Sequence, residues 1–330
     1  MNIVYISNEK YVPHLAASMC SVMENNESEK EIVFYVVSTG MTEESMDRLA
    51  KLCDHYDRRM LTYDLSDLEK KVSADGQPFL KKFDISILGR FFLGEIMPAE
   101  IDKVLYLDCD TIVTGSLHEL YDILPKEDTI LAAVQEPTIY KSTKRMISLK
   151  DKDPYFNSGV LLIDMNMWRR LSIDIRLRNY YESISKESIF ADQDAINGLL
   201  YGYIESVNPK YNFFTNYKYF RWSTLTGMSE AYKSVSKNEF NEAKDSPVVI
   251  HYAGDERPWI KGSRNPFRKE YEKYLSLTEW RDTEKETGKE FFMFMYHMMN
   301  VTTFICPPVR RAISEAYAEK LMGKAGDKKE

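Results

Sequence analysis

The chain has 330 residues, of which 44% are hydrophobic and 29% charged, and its formal net charge is -7 at pH 7. These values suit a soluble globular protein with a sizeable core and exclude an intrinsically disordered chain. The acidic excess argues against a nucleic-acid partner, because a phosphate backbone attracts clustered Lys and Arg. The scattered cysteines show neither zinc-site spacing nor the density of a disulfide framework, which indicates a reducing compartment.

Apolar runs typical of strands begin at the N-terminus and recur through the first half of the chain. They are rich in β-branched and aromatic residues, and several are continuous, as in strands that are buried on both faces. Thr42 followed by Glu43 predicts the start of a helix that buries Leu49 and Cys53. The predicted strands are residues 3–6, 32–37, 60–63, 104–107, 130–134 and 160–163.

Strands that alternate with helices predict a mostly parallel, doubly wound α/β sheet, in which ligands bind at the carboxyl ends of strands. The chain opens directly into its first strand without a secretory signal, which predicts a cytoplasmic protein. Near the C-terminus, the apolar run at 291–299 predicts a helix that is too short to span a membrane. Because Arg310 and Arg311 and a Lys-rich end follow it, an interfacial membrane anchor and an ordinary packed helix are equally consistent with this tail.

A pair of carboxylates follows the buried-strand pattern at Val104 to Leu107, since Asp108 and Asp110 are separated only by Cys109. Such a pair can converge on one hard cation, which takes oxygen ligands and shares them with a substrate phosphate. Paired aspartates also occur in capped turns, so a structural role stays open for this pair on its own.

A second segment begins with His251, which directly follows the apolar run 247–250, and contains Gly254 and Arg257. An imidazole at a strand end, a glycine that permits close backbone approach and a nearby cation together predict a cradle for a diphosphate. The alternative is a buried histidine whose hydrogen bonds are satisfied within the core.

Two further segments carry amide and carboxylate side chains. Asn157 and Gly159 open a strand, whereas Asp192 and Gln193 begin a predicted helix whose apolar face includes Ile196. A helix N-terminus explains Asp192 as well as a substrate contact does.

In this order, the four segments resemble glycosyltransferase family eight, the retaining group that includes bacterial lipopolysaccharide galactosyl- and glucosyltransferases and glycogenin. The resemblance extends from Asn2 to about Trp259, and the ordered set is far more specific than any single motif. It implies a GT-A (Rossmann-like) α/β fold, a mostly parallel twisted sheet flanked by helices, with a helical C-terminal extension. The implied domains are residues 1–275 for nucleotide-sugar transfer and 276–330 for a tail associated with a membrane surface or the acceptor.

The resemblance also implies a metal site, with Asp108, Asp110 and His251 as ligands of Mn²⁺ or Mg²⁺. Arg257 stands where lysine is usual in the family's His-x-x-Gly-x-x-Lys-Pro-Trp element and is implied to contact the diphosphate. It keeps the positive charge but presents a fork of donors instead of a single ammonium. The implied nucleotide-binding residues are Ser7, Asn8, Tyr11, Asp108, Cys109, Asp110, Gly254 and Arg257.

On the nucleoside side, Tyr11 matches the family residue that stacks on the uracil, while Asn8 and Lys10 replace the usual aspartate and asparagine. Arg90 matches the family arginine near the donor, with a surface ion pair as the alternative. The implied donor-sugar residues are Arg90, Asn157, Gly159, Asp192 and Gln193, and the last two are the candidate catalytic residues. Because a neutral amide such as that of Gln193 is a weak nucleophile, same-face attack is favoured over a covalent adduct.

The reaction so implied is transfer of glucose or galactose from UDP-glucose or UDP-galactose to a glycan or lipid-linked acceptor, in the cytoplasm or at the inner face of its membrane. No motif selects the hexose. A haloacid-dehalogenase-like phosphatase is one alternative, in which Asp108 would attack phosphorus and Asp110 would act as acid and base. A non-catalytic protein that binds sugar nucleotides is the other.

Overall fold

Two β-sheets organise the part of the chain that the computed structural model describes, which comprises residues 1–65, 89–123, 128–138, 140–185, 187–314 and 316. The larger has seven strands in the order β3-β2-β1-β4-β7-β6-β8, and the smaller has three in the order β5-β10-β9. The strands are β1 (Asn2–Ser7), β2 (Val33–Ser38), β3 (Arg59–Asp64), β4 (Lys103–Leu107), β5 (Thr111–Val113), β6 (Leu131–Gln135), β7 (Phe156–Asp164), β8 (Ile204–Val207), β9 (Phe213–Phe214) and β10 (Val249–His251).

The large sheet is mostly parallel, as predicted. β7 runs antiparallel to both of its neighbours, β4 and β6, whereas the remaining neighbouring pairs are parallel. Each predicted strand is confirmed, although β7 begins at Phe156, ahead of the predicted 160, because Phe156 pairs with Gln135 across an irregular register.

Helices cover both faces of the large sheet. Thr42 caps the second helix as predicted, since its side chain accepts a hydrogen bond of 3.2 Å from the Ser45 backbone N–H. The helices are α1 (Val12–Asn25), α2 (Glu43–His55), α3 (Leu93–Ile96), α4 (His118–Tyr121), α5 (Lys141–Met146), α6 (Met165–Arg170), α7 (Ile173–Ile184), α8 (Ala191–Leu199), α9 (Trp222–Met228), α10 (Lys237–Asp245), α11 (Arg268–Ser276) and α12 (Glu290–Ile305).

The core explains why the strand sequences are continuously apolar. Successive residues of β4 point to opposite faces, so Tyr106 joins the apolar cluster on one face while Leu105 and Leu107 join the cluster on the other. Both faces are therefore buried under helices, as in other doubly wound sheets. A third apolar cluster surrounds the small sheet and includes Met293 of α12.

The predicted C-terminal helix is confirmed as α12, and helical residues continue at 307–314. One side of α12 is buried, with Met293, Asn300 and Thr303 turned towards the rest of the protein. Among the residues described, there is no helix with the length and apolar character that crossing a membrane requires.

Candidate active site

The two sheets meet at the carboxyl end of β4. There the chain turns at Asp108 and continues as β5, which belongs to the small sheet. The turn is closed by the Thr111 backbone N–H, which donates to the Asp108 carbonyl at 3.2 Å. β10 pairs antiparallel with β5 and sets His251 opposite Thr111. Strand pairing thus brings an imidazole from late in the chain beside two mid-chain carboxylates.

The geometry of these three side chains suits a cation. The Nε2 atom of His251 lies 3.3 Å from Oδ1 of Asp110 and 3.8 Å from Oδ2 of Asp108. One ligand atom from each of the three residues can be chosen so that all lie within 4.8 Å of one another. Two carboxylates and one imidazole are a donor set that Mn²⁺ and Mg²⁺ accept, so the residues fit the predicted metal.

Gly159 in β7 leaves the space that this arrangement needs. A Cβ at this position would lie 2.4 Å from Cε1 of His251 and 2.7 Å from Oδ2 of Asp108. Any other residue would push the imidazole and the carboxylate away, so the glycine permits the three side chains to converge.

Asn212 determines which nitrogen of His251 faces the carboxylates. The Nδ1 atom of the imidazole lies 2.8 Å from Oδ1 of Asn212, which accepts its proton, so the lone pair of a neutral ring is on Nε2. The Asn212 amide is oriented in turn, because its Nδ2 donates to Oδ1 of Asn157 at 2.7 Å.

The hydrogen bonds continue from Asn157 to a carboxylate. Nδ2 of Asn157 donates to Oε1 of Gln193 at 2.8 Å and to Oε2 of Glu136 at 3.1 Å, and Nε2 of Gln193 donates to the same Glu136 oxygen at 3.2 Å. Burial raises the pKa of Glu136 above its usual value, against the opposing effect of these donors. Because Oε2 of Glu136 accepts from both amides, it orients them, and through Asn212 the orientation reaches His251.

Arg90 joins the two acidic regions of the site. Its guanidinium donates to Asp108 through one nitrogen and to Asp192 through another, and it lies 4.2 Å from the centre of the Tyr106 ring. Tyr106 also donates its hydroxyl to Oδ1 of Asp108 at 2.7 Å. The alternative of a surface ion pair for Arg90 is wrong, because the residue is only 4% exposed.

Burial and neighbouring charges shift the pKa values of the ionisable side chains in the site. Burial raises the pKa of Asp192 to about 6, against the opposing effect of Arg90. Burial opposes ionisation of Asp110 as well, but His251 and Arg257 together hold its pKa well below the usual range. For His251, burial is outweighed by Asp110 and Asp108, which raise the pKa of the imidazole. The cluster thus concentrates negative charge where a cation would bind.

Next to the carboxylates lies a cleft of about 230 Å³. Arg257 reaches it from the loop after β10, with NH2 3.5 Å from Oδ2 of Asp110 and NH1 donating to the Tyr11 hydroxyl at 2.7 Å. Gly254 has a φ of +99° and accepts a 3.0 Å hydrogen bond from Nε of Arg257 through its carbonyl. The cleft is lined by Ile6, Ser7, Asn8, Tyr11, Arg90, Tyr106, Asp108, Cys109, Asp110, Ser158 and Asp192.

The structure therefore brings the sequence-predicted residues together around one cleft and the adjoining cluster of Asp108, Asp110 and His251. Sequence reasoning missed Tyr106, Glu136 and Asn212. Glu136 directly follows β6, so the rule that sites lie at the carboxyl ends of strands contained a signal for it. Asn212 lies between a short helical turn and β9, where the aromatic-rich sequence carried no such signal.

The family model for glycosyl transferase family 8 matches residues 2–262. Among curated relatives, general stress protein A of Bacillus subtilis (strain 168) is 28% identical over 85% of this chain and 94% of its own length. The lipopolysaccharide 1,2-glucosyltransferase of Escherichia coli (strain K12) is 25% identical, covering 89% of this chain and 83% of the relative. The lipopolysaccharide 1,3-galactosyltransferase of Salmonella typhimurium (strain LT2) is 26% identical, covering 84% and 79%.

Among solved structures, the galactosyltransferase LgtC in complex with donor and acceptor sugar analogues matches with a TM-score of 0.68. The sequence identity is 24%, and the match covers 88% of this chain and 99% of LgtC. This similarity confirms the predicted GT-A architecture. The family model covers most of the chain and excludes the phosphatase alternative: the chain belongs to glycosyl transferase family 8 and is a glycosyltransferase.

Proposed function

We propose that this glycosyltransferase transfers glucose or galactose from a UDP-sugar to a glycan or lipid-linked acceptor, with a divalent cation bound by Asp108, Asp110 and His251. The main support is the convergence of two carboxylates and one imidazole nitrogen beside a cleft. The names of two curated relatives, a glucosyltransferase and a galactosyltransferase of lipopolysaccharide, support a hexose donor and a glycan acceptor.

The nucleotide end of the donor lies, in this proposal, between Tyr11 and Arg257. Tyr11 stacks on the uracil, and Ser7, Asn8 and Cys109 line the same cleft. A bound Mn²⁺ or Mg²⁺ supplies positive charge that neutralises the UDP leaving group. Arg257 adds a second positive charge at the diphosphate, where its planar fork suits paired phosphate oxygens.

The sugar end lies towards Arg90 and Asp192. An acceptor-only carboxylate such as that of Asp192 suits sugar hydroxyls, and Arg90 holds it in place. We assign Gln193 to the region of the anomeric carbon, where Asn157 and Glu136 fix the direction of its amide. Because this amide is a poor nucleophile, we favour attack from the face on which UDP departs, with retention of configuration.

The proposal is tested by a screen of UDP-sugars for Mn²⁺-dependent hydrolysis, with the wild type, Asp110→Ala and the control Asp102→Ala. Asp102 is exposed and precedes β4, at the opposite end of this strand from the site. We expect turnover of UDP-glucose or UDP-galactose, a loss of at least about 100-fold in D110A and none in D102A. Circular dichroism verifies that D110A is folded.

Full activity in D110A would contradict the metal site. Product inversion, detected by NMR, would contradict same-face attack. Calorimetry that shows UDP binding without turnover across many acceptors would favour the sugar-nucleotide-binding alternative instead.

We further propose that the described helical part of the tail predicted at 276–330 binds the inner surface of the cytoplasmic membrane. Residues 315 and 317–330, which include the Lys-rich end, lie outside the described residues. One face of α12 exposes large apolar side chains, with Phe291 and Ile305 each 78% exposed. Basic groups flank this face, since Lys244 lies 5.5 Å from the Phe304 ring and Arg264 lies 5.9 Å from that of Phe294. Apolar burial combined with attraction to anionic lipid is how amphipathic helices bind at an interface.

Co-sedimentation with phosphatidylglycerol and phosphatidylcholine vesicles tests this assignment. We expect binding to the anionic vesicles, and a decrease of at least about tenfold in the double variant Phe291→Glu, Ile305→Glu. Ile175→Glu is the control, because Ile175 is 52% exposed but belongs to α7. Equal binding by the double variant and the wild type would contradict the assignment.

A further inference from the structure

Glu256 is a buried carboxylate beside the proposed donor site that the reaction described above does not use. It is 6% exposed and directly precedes Arg257. Its Oε1 accepts a hydrogen bond of 3.1 Å from the Arg264 backbone N–H and lies 3.3 Å from Nδ1 of His297, and its Oε2 accepts from Nδ2 of Asn300 at 3.3 Å. Both side-chain partners belong to α12.

On the α12 side of this contact, hydrogen bonds hold both polar atoms of the Asn300 side chain. Asn300 is 0% exposed, and while its Nδ2 donates to Glu256, its Oδ1 accepts from NH1 of Arg310 at 2.7 Å. The Arg310 guanidinium in turn lies 4.7 Å from the centre of the Phe220 ring. We call Glu256, His297, Asn300 and Arg310 the Glu256 cluster.

A buried charged cluster costs free energy unless its groups are well paired, and an apolar contact would stabilise the fold as well. What such a cluster adds is a defined geometry between the parts that it joins. Here it joins the C-terminal helix to the loop that follows His251.

The same loop is tied to the C-terminal segment at two further points. Glu286 pairs with the loop backbone, donating from its N–H to the Trp259 carbonyl at 2.8 Å and accepting from the Lys261 N–H at 2.8 Å. Gly262 has a φ of +85° and approaches Glu290 so closely that a Cβ would lie 3.3 Å from its Cα. The loop is therefore held by the segment that leads into α12 as well as by α12 itself.

Glu256 and Arg257 are adjacent in sequence, but their side chains contact different parts of the protein. Glu256 contacts α12, whereas Arg257 contacts Asp110 and Tyr11 in the cleft. A residue has only two soft backbone dihedral angles. Fixing the side chain of Glu256 therefore restricts the position and direction of the Cα–Cβ bond of Arg257.

We propose that the Glu256 cluster positions Arg257 at the donor diphosphate, so that the C-terminal helix is a structural part of the nucleotide-binding site. This inference rests on the proposed function, because Arg257 must contact the diphosphate. Glu256, His297 and Asn300 are positioning residues here: they act through Arg257 and do not touch the substrate.

The test is a double-mutant cycle on UDP affinity, measured by calorimetry in the presence of Mn²⁺ without lipid. The variants are Asn300→Ala, Arg257→Ala and the double variant, with Thr302→Ala as the control on the exposed side of α12. We expect N300A to weaken UDP binding about tenfold, which is about 1.4 kcal/mol, and T302A to leave it unchanged. In the R257A background, N300A should have no further effect, because its target is already absent.

A second measurement separates positioning from general damage. In UDP-sugar hydrolysis, N300A should raise KM for the donor about tenfold and change kcat less than about threefold. If N300A does not fold, His297→Ala tests the same cluster with a side chain that is 18% exposed. Glu256→Gln keeps the size of the side chain but replaces one of the two accepting oxygens by a donor, so it should lose part of the affinity that Glu256→Ala loses.

Three outcomes would overturn the inference. An unchanged affinity in N300A and H297A, together with a weakened R257A, rejects the positioning role and leaves the proposed nucleotide site intact. An equal loss from N300A in both backgrounds means that the cluster does not act through Arg257. An unchanged affinity in R257A itself removes the diphosphate contact from the proposed function, and the inference with it.

Discussion

Asn212 provides a sharp test of the proposed metal site, because it contacts the imidazole of His251 and is not one of the three proposed ligands. Asn212→Ala removes the acceptor that lies 2.8 Å from Nδ1 of His251 and the donor that lies 2.7 Å from Oδ1 of Asn157. Without that acceptor, the ring can carry its proton on either nitrogen and can rotate away from Asp110. The Asn157 amide loses a partner at the same time, in a region where Asn212 is only 2% exposed.

The expected magnitude follows from the role of such outer hydrogen bonds. Loss of the group that orients a histidine ligand typically lowers metal affinity by roughly 10–100-fold, or about 1.4–2.7 kcal/mol. We therefore expect Asn212→Ala to raise the Kd for Mn²⁺ by this factor, while the carboxylate ligands remain in place.

Calorimetric titration of Mn²⁺ into the purified variants measures the effect. Asn216→Ala is the matched control, because Asn216 is an amide of the same region whose Oδ1 has no hydrogen-bond partner within the described residues. A Kd for Mn²⁺ in Asn212→Ala within about twofold of the wild type would refute the reasoning that links the amide to His251.

Two further predictions concern Gly159 and Asp174. Gly159→Ala places a Cβ 2.4 Å from Cε1 of His251, so the Mn²⁺ affinity measured by calorimetry should fall at least about tenfold. Gly115→Ala is the control, because its Cβ would lie 3.5 Å from the nearest atom, and it should leave the Mn²⁺ affinity unchanged. Burial raises the pKa of Asp174 from 3.8 to about 6, so this group stabilises the fold below about pH 4 and that contribution is lost as the pH rises through 6. Urea unfolding should show the wild type losing about 3 kcal/mol relative to Asp174→Asn between about pH 3.5 and 7, and parallel pH profiles would contradict the shifted pKa.

The accuracy of the fold prediction has a local physical cause. A strand buried on both faces must be apolar at every position, and β1, β2 and β4 carry that requirement in short continuous runs. The antiparallel direction of β7 was not predicted, because strand direction depends on the path of the connecting chain and leaves no mark in the strand's own sequence.

The sequence predicted the three candidate metal ligands but missed residues that hold their side chains in place. Asp108 and Asp110 follow a strand and form a recognisable pair, but Glu136 and Asn212 are single residues whose role depends on partners from other elements. Arg90 is the opposite case: its residue type suggested an ion pair, and only the packing around it decided that the pair is buried.

By itself, the sequence determined where the strands lie, which residues end them, and which family the ordered motifs resemble, because each of these depends on residues that are close along the chain. The tertiary structure alone decided that β10 pairs with β5, that the imidazole of His251 faces two carboxylates, and that α12 contacts Glu256. These contacts join distant segments, and they arise because burying apolar surface forces such segments together, a collective outcome that no local pattern encodes.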